Sequence, residues 1–199
     1  YLDIPGADGS MDLSTVNSGH VVYERREITL YFGCGYPANQ WPSVFSEILR
    51  KFHGQEGKLI FDDDPGYYYI GRMTVSDYQR VRNLGTFTIT VQADPYKYEI
   101  LSSEDAWLWD PFSFVDGIIR EYNNIEVNGT RSLMIPGTEK WIIPEIVVSA
   151  AMKVTFESKE YSLKEGANKI YDLVIKEGEN ELVFKGYGTV TVRYRGAIL

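Results

Sequence analysis

The sequence predicts a mainly β protein (β-rich α+β): an N-terminal β domain with one helix and one hairpin, followed by a β-sandwich. Three observations carry this. Phe87, Ile89, Val91 and Ala93 alternate with Thr86, Thr88, Thr90 and Gln92, the period-two signature of a strand with one buried face. Val44, Phe45, Ile48, Leu49 and Phe52 recur at helical spacing, in the one stretch that does so clearly. Beyond residue 103, short strand-like runs follow one another between glycine turns, with no helical pattern.

Taken in order, Tyr1-Leu2-Asp3-Ile4-Pro5-Gly6 reads as strand into turn, and the segment through Ser10 is dense in turn formers. Because the chain opens so abruptly, the first domain is expected to lack its first strands. Residues 21–32 read as a strand, which Gly33, Gly35 and Pro37 break. A helix is expected over residues 42–53. Pro42 suits its first turn, Arg50 and Lys51 suit the negative end of its dipole, and Gly54 suits a left-handed cap. Residues 58–61 and 67–75 form a hairpin around the turn Asp62-Asp63-Asp64-Pro65-Gly66. Alternation places Tyr67 and Tyr69 on one face and Tyr68 on the other. Asp94-Pro95 ends the next strand, since proline cannot continue a ladder.

The polar stretch Ser102-Ser103-Glu104-Asp105 marks a linker, giving domains 1–103 and 104–199. In the second, strands are expected at 118–122, 125–127, 132–135, 142–148, 152–156, 159–163, 169–175, 181–187 and 189–195. Turns are expected at Asn128-Gly129, Pro136-Gly137, Glu165-Gly166, Glu177-Gly178 and Lys185-Gly186. No long internal repeat stands out.

Composition narrows the function. The 199 residues are 44% hydrophobic, enough for one large or two small cores, and the 15 tyrosines suit half-buried strand surfaces that contact a partner. The net charge of −8 is shared evenly between the two domains, with no cluster of Lys and Arg to neutralise phosphates, so nucleic-acid binding is not expected. No apolar run approaches the ~20 residues that span a bilayer, and no membrane insertion is expected. Cys34 is the one cysteine, which excludes an intrachain disulfide and a cysteine-based zinc site.

Residues that might carry chemistry have plainer readings. Asp62, Asp63 and Asp64 are carboxylates in sequence, but neighbours in a turn point apart and no calcium-loop pattern follows, so a solvated turn is expected. His53 has no nucleophile motif beside it and suits the carbonyls at the helix end. His20 follows a Ser-Gly turn. Cys34, between two glycines, is a small thiol at a strand end. Asn128-Gly129-Thr130 matches a glycosylation acceptor and equally a turn, and the turn is preferred. Trp107, Trp109 and Trp141, with Tyr161, Tyr171 and Tyr187, offer a sugar-stacking platform, the basis of an alternative reading as a carbohydrate-binding module with an accessory domain. No phosphate loop, dinucleotide fingerprint or H-E-x-x-H occurs, so no metal, cofactor or enzymatic activity is expected.

One resemblance spans nearly the whole chain. It runs through residues 4–13 (IPGADGSMDL), Arg26 to Phe32, and the helix ending Leu49…Phe52-His53-Gly54. It continues through Asp63-Asp64-Pro65…Tyr68-Tyr69…Gly71-Arg72 and Ala93-Asp94-Pro95-Tyr96-Lys97. In that order these segments resemble the distal tail (Dit) family of long-tailed bacteriophages. Pro144-Glu145-Ile146, Gly178-Glu179-Asn180 and residues 186–190 (GYGTV) are similar to that family's galectin-like or carbohydrate-module-like sandwich. The resemblance implies a virion structural protein at the tail tip, phage or prophage encoded. It implies a hexameric ring formed through the N-terminal domain, joining the tail tube to the host-adsorption apparatus. Tail-tube, tail-associated (Tal-type) and receptor-binding or baseplate proteins are the implied neighbours, with no catalytic residues. DNA must pass such a ring, so a lumen rich in carboxylates is expected, with the turn at Asp62, Asp63 and Asp64 as candidate lumen element.

Overall fold

The computed structural model describes residues 2–3, 10–11, 21–37, 39–103 and 121–199. Its elements are β1 (Leu2–Asp3), β2 (Ser10–Met11), β3 (Arg26–Gly35), α1 (Trp41–Phe52), β4 (Glu56–Phe61), β5 (Asp64–Val81), β6 (Leu84–Ala93), β7 (Lys97–Glu99), β8 (Ile125–Gly137), β9 (Glu145–Val148), β10 (Met152–Phe156), β11 (Lys159–Leu163), β12 (Gly166–Lys169), β13 (Gly178–Arg193) and β14 (Ala197–Ile198). The protein is mainly β, as the alternation predicts. Its contacts divide it into two units, residues 1–57 with 71–95 and residues 58–70 with 96–199.

In the first unit β6 pairs antiparallel with β3 on one side and with β5 on the other. Register places Ile28 opposite Val91, Leu30 opposite Ile89 and Phe32 opposite Phe87. Phe87, Ile89, Val91 and Ala93 are buried, while Ile28 and Leu30 are half-buried. The Phe32 and Phe87 rings stack across the ladder at 5.2 Å. The strand expected from residue 21 begins at Arg26, opposite Ala93. The reason is its partner: β6 stops before Asp94-Pro95, so residues 21–25 have no ladder to join.

Helix α1 packs at the far end of the β5–β6 hairpin. Glu47 and Lys51 pair at 2.9 Å along its exposed side, which holds the Glu47 carboxyl below its ordinary range. The His53 backbone N–H donates to Leu49 O and closes the last turn. The sequence stripe at 44, 45, 48 and 49 is only half-buried, and the residue that anchors the helix is Trp41, fully buried, one turn ahead of Phe45. Its ring lies where a Cβ on Gly85 would stand, 2.2 Å from the nearest ring carbon, so glycine is required there for close approach. Around it, Tyr36 meets Trp41 edge-on at 5.9 Å and Phe45 stacks on Tyr78 at 4.2 Å. Tyr78 reaches this position because β5 carries a bulge between Ser76 and Gln79.

The second unit holds a large hydrophobic core beneath a six-stranded antiparallel sheet. The strand order is β11-β10-β13-β9-β12, with β8 also on β13. Leu182, Phe184, Val190 and Val192 of β13 and Ile135, Ile146 and Val154 of its neighbours are all at most 1% exposed. β13 pairs with β8 along its length, from Gly178 opposite Gly137 to Val190 opposite Ile125. On its other side it pairs first with β10 and then, past Gly186-Tyr187-Gly188, with β9.

That continuous ladder corrects several expectations. Asn128-Gly129 and Lys185-Gly186 are not turns but mid-strand, with Gly129 opposite Gly186 in the β8–β13 pairing, where cross-strand bonding overrides local turn preference. Strands expected separately at 125–127 and 132–135, and at 181–187 and 189–195, are therefore single strands. The strand expected at 142–148 is confined to Glu145–Val148, since Pro144 supplies no N–H. Residues 170–175 form an isolated bridge, Ile142 to Ile175, rather than a strand. β10 and β11 fall on the predicted residues, and Lys153 on β10 holds the Glu160 carboxyl of β11 below its ordinary range. The strand expected at 118–122 lies mostly outside the described residues, as does the second half of the linker.

A short duplicated turn, invisible to a search for long repeats, braces this unit. Lys164-Glu165-Gly166-Ala167-Asn168 and Lys176-Glu177-Gly178-Glu179-Asn180 fold alike. In each, the Asn Oδ1 accepts the N–H of the lysine four residues back, at 2.9 and 3.0 Å. The Nδ2 donates to that lysine's carbonyl (2.7 Å in both), to the glycine carbonyl, and across to Ile146 O or Ile135 O. Asn180 is buried and Asn168 half-buried. Replacing Asn180 by alanine is therefore expected to cost about 3 kcal/mol in urea unfolding, since buried carbonyls lose their donor, and Asn168→Ala less than half of that.

The hairpin 58–70 belongs to this unit too. Tyr67 pairs with Glu99 and Tyr68 with Tyr98. Tyr67 and Tyr68 are both buried although they face opposite ways, so both faces of the strand are covered here. Lys58 lies over the Tyr68 ring at 4.4 Å, Arg195 also lies over it, and Tyr68 stacks on Tyr98 at 5.7 Å. Arg195 donates to the carbonyls of Glu99 and Ile100. The Ser103 hydroxyl donates to Val192 O and accepts the Tyr194 N–H, both at 2.8 Å, tying the chain ahead of residue 104 to the end of β13.

Candidate assembly surface

The acidic turn comes apart chemically once folded. Asp62 and Asp63 form an exposed two-residue turn between β4 and β5, while Asp64 is already in β5, half-buried. Lys97 donates to the Asp64 carboxylate at 2.6 Å and sits over the Tyr67 ring at 4.5 Å. One of the three carboxylates is thus neutralised by its own chain. Among the described residues no group of His, Cys, Asp and Glu has a metal-holding arrangement.

Trp107 and Trp109 lie outside the described residues, as does His20. Trp141 is half-buried, with the Lys176 ammonium 5.6 Å from its ring centre. Tyr161 is half-buried on β11 and its hydroxyl is enclosed, whereas Tyr171 (73%) and Tyr187 (72%) stand in solvent. His53 acts differently from the expected carbonyl partner: its Nδ1 accepts the Val75 backbone N–H at 3.2 Å, tying the helix end to β5. Cys34 is half-buried near the end of β3, opposite Gly85.

A different surface emerges from the packing. β3 ends its sheet, bonded to β6 on one side only among the described residues. Ile28 to Gly35 and their partners Leu84 to Val91 contain no Asp, Glu, Lys or Arg, in a chain that is 24% charged. Large apolar side chains are exposed there: Tyr31 is 82% exposed, Leu84 67% and Phe32 41%. A shallow groove of about 470 Å³ opens beside Tyr31, floored by Thr86 and Thr88 and bordered by Asp77 and Gln79. The sequence shows the alternation of these strands, but only the register shows that two uncharged runs lie side by side.

No protein-family model matches the chain, and no curated protein matches it. Among solved structures, the crystal structure of SPP1 Dit matches over 99% of this chain and 86% of its own, at 15% identity and a TM-score of 0.53. That protein is described as a paradigm of the hub adsorption apparatus in phages infecting Gram-positive bacteria. The chain has a Dit-like fold.

Proposed function

We propose that this protein is a structural component of a bacteriophage tail tip: a distal tail protein assembling as a ring of six and joining the tail tube to the host-adsorption apparatus. The observation that carries the reading is the Dit-like fold over 99% of the chain. The ordered succession of Dit-like segments in the sequence and the exposed, uncharged β3–β6 surface support it. The partners are further copies of the chain, a tail-tube protein, a tail-associated (Tal-type) protein and a receptor-binding or baseplate protein. The role is assembly, with no bond made or broken.

In such a ring, the exposed carboxylates of Asp62 and Asp63 would repel passing DNA if they faced the channel. A structure of the assembled ring with both residues on its outer rim would remove that element alone. For the reading as a whole, light scattering after size exclusion is expected to give a mass near six protomers. A single-protomer mass at every concentration would contradict it.

A further inference from the structure

We infer that the edge of β3 away from β6, which pairs with no other strand among the described residues, is one side of the contact between neighbouring copies of this chain, with a strand or extended segment of the second copy laid along Ile28 to Gly35. This rests on the ring reading and assigns its contact to particular residues.

An exposed strand edge presents unpaired N–H and C=O groups, and proteins that stay apart protect such edges with lysine, proline, bulges or short length. β3 has none of these from Ile28 onward: it is ten residues long, keeps one register with β6 throughout, and contains no proline or lysine. Charge singles out the occupant. Two copies at −8 each repel wherever their charged surfaces approach. The paired runs Ile28 to Gly35 and Leu84 to Val91 form a sheet patch that carries no charged side chain of its own, so a second acidic copy meets less like charge there, with Asp77 the acidic group at the groove's border. Gly33 has no neighbouring atom within 4 Å of where a Cβ would stand, so the sheet face it shares with Tyr31 is open to a partner's side chains. Tyr31, with most of its ring in solvent, has area to bury on a partner at little cost in rotamer freedom.

The test places a charge on this edge without touching the core. Tyr31→Lys and Thr29→Lys, both at exposed positions of β3, are expected to shift the six-protomer peak to one protomer while circular dichroism and melting temperature stay as in the wild type. Tyr171→Lys, at a comparably exposed tyrosine of the other unit, is expected to leave the mass unchanged. Hydrogen exchange on the wild-type chain supplies the second measurement: amides of residues 28–35 are expected to slow when the protein is concentrated into its assembled form. A wild-type assembly of six that survives both lysine variants, or exchange over 28–35 that ignores assembly, overturns the assignment and leaves the ring reading standing. A wild-type chain that never associates overturns both.

Discussion

Trp41→Ala is expected to destabilise the first unit by about 3–5 kcal/mol, read from urea unfolding followed by circular dichroism. The indole is the one side chain of α1 with no solvent exposure, and it fills the space over Gly85 between Tyr36 and Tyr78. The rest of the helix is held more lightly: Val44, Phe45, Ile48 and Leu49 are only half-buried, Gln40 makes no side-chain cap, no acidic residue occupies the first turn, and the far end is tied by the Val75 N–H to His53 Nδ1. Trp41→Phe should cost far less, about 1 kcal/mol, because the indole N–H has no hydrogen-bond partner among the described residues and most of the ring volume is kept. Gly85→Ala should be costly in the wild type and nearly neutral beside Trp41→Ala, since the clashing ring is then gone. Additive penalties in that cycle would show that the helix is not held by this contact.

Gly137→Ala should do comparable damage to the second unit for a different reason. A Cβ there would stand 1.9 Å from the Lys176 carbonyl oxygen and 2.8 Å from its carbon. The obstacle is backbone, which cannot swing aside as a side-chain tip does, and Ile175 beside it is fully buried. Gly137 is also opposite Gly178, where β8 and β13 begin to pair, next to the turn braced by Asn180. Relief of the clash must therefore move a braced turn or part the end of the ladder. A loss of about 3 kcal/mol or more is expected, with a lower urea midpoint and loss of amide protection at the β8–β13 end. A variant as stable as the wild type would mean that the turn is looser than its hydrogen bonds imply.

Local patterns were readable where local physics decides. The helix ends where Arg50, Lys51 and Gly54 place them, and β10 and β11 match their alternation residue for residue. The anchoring role of Trp41 is not legible in sequence, because Pro42 marks a helix start so strongly that the residue before it looks like loop. Asn128-Gly129 and Lys185-Gly186 carry turn chemistry, and both glycines keep a positive φ, but a thirteen-residue pairing between segments far apart in sequence holds them in the ladder, which no local pattern encodes. The Asn168 and Asn180 turns are two five-residue copies, too short to register as a repeat, and their similarity lies in where the amide reaches. The same holds for the candidate assembly surface. Tyr31 in sequence is one tyrosine among 15, and only register and exposure set it on an uncharged edge. The acidic triplet, prominent as text, divides once Lys97 takes Asp64.

Negative-stain electron microscopy of the purified chain is expected to give class averages of closed rings with six-fold symmetry and an open centre, lost in Tyr31→Lys. Isolated single particles of protomer size, or open filaments without closure, would contradict the ring reading.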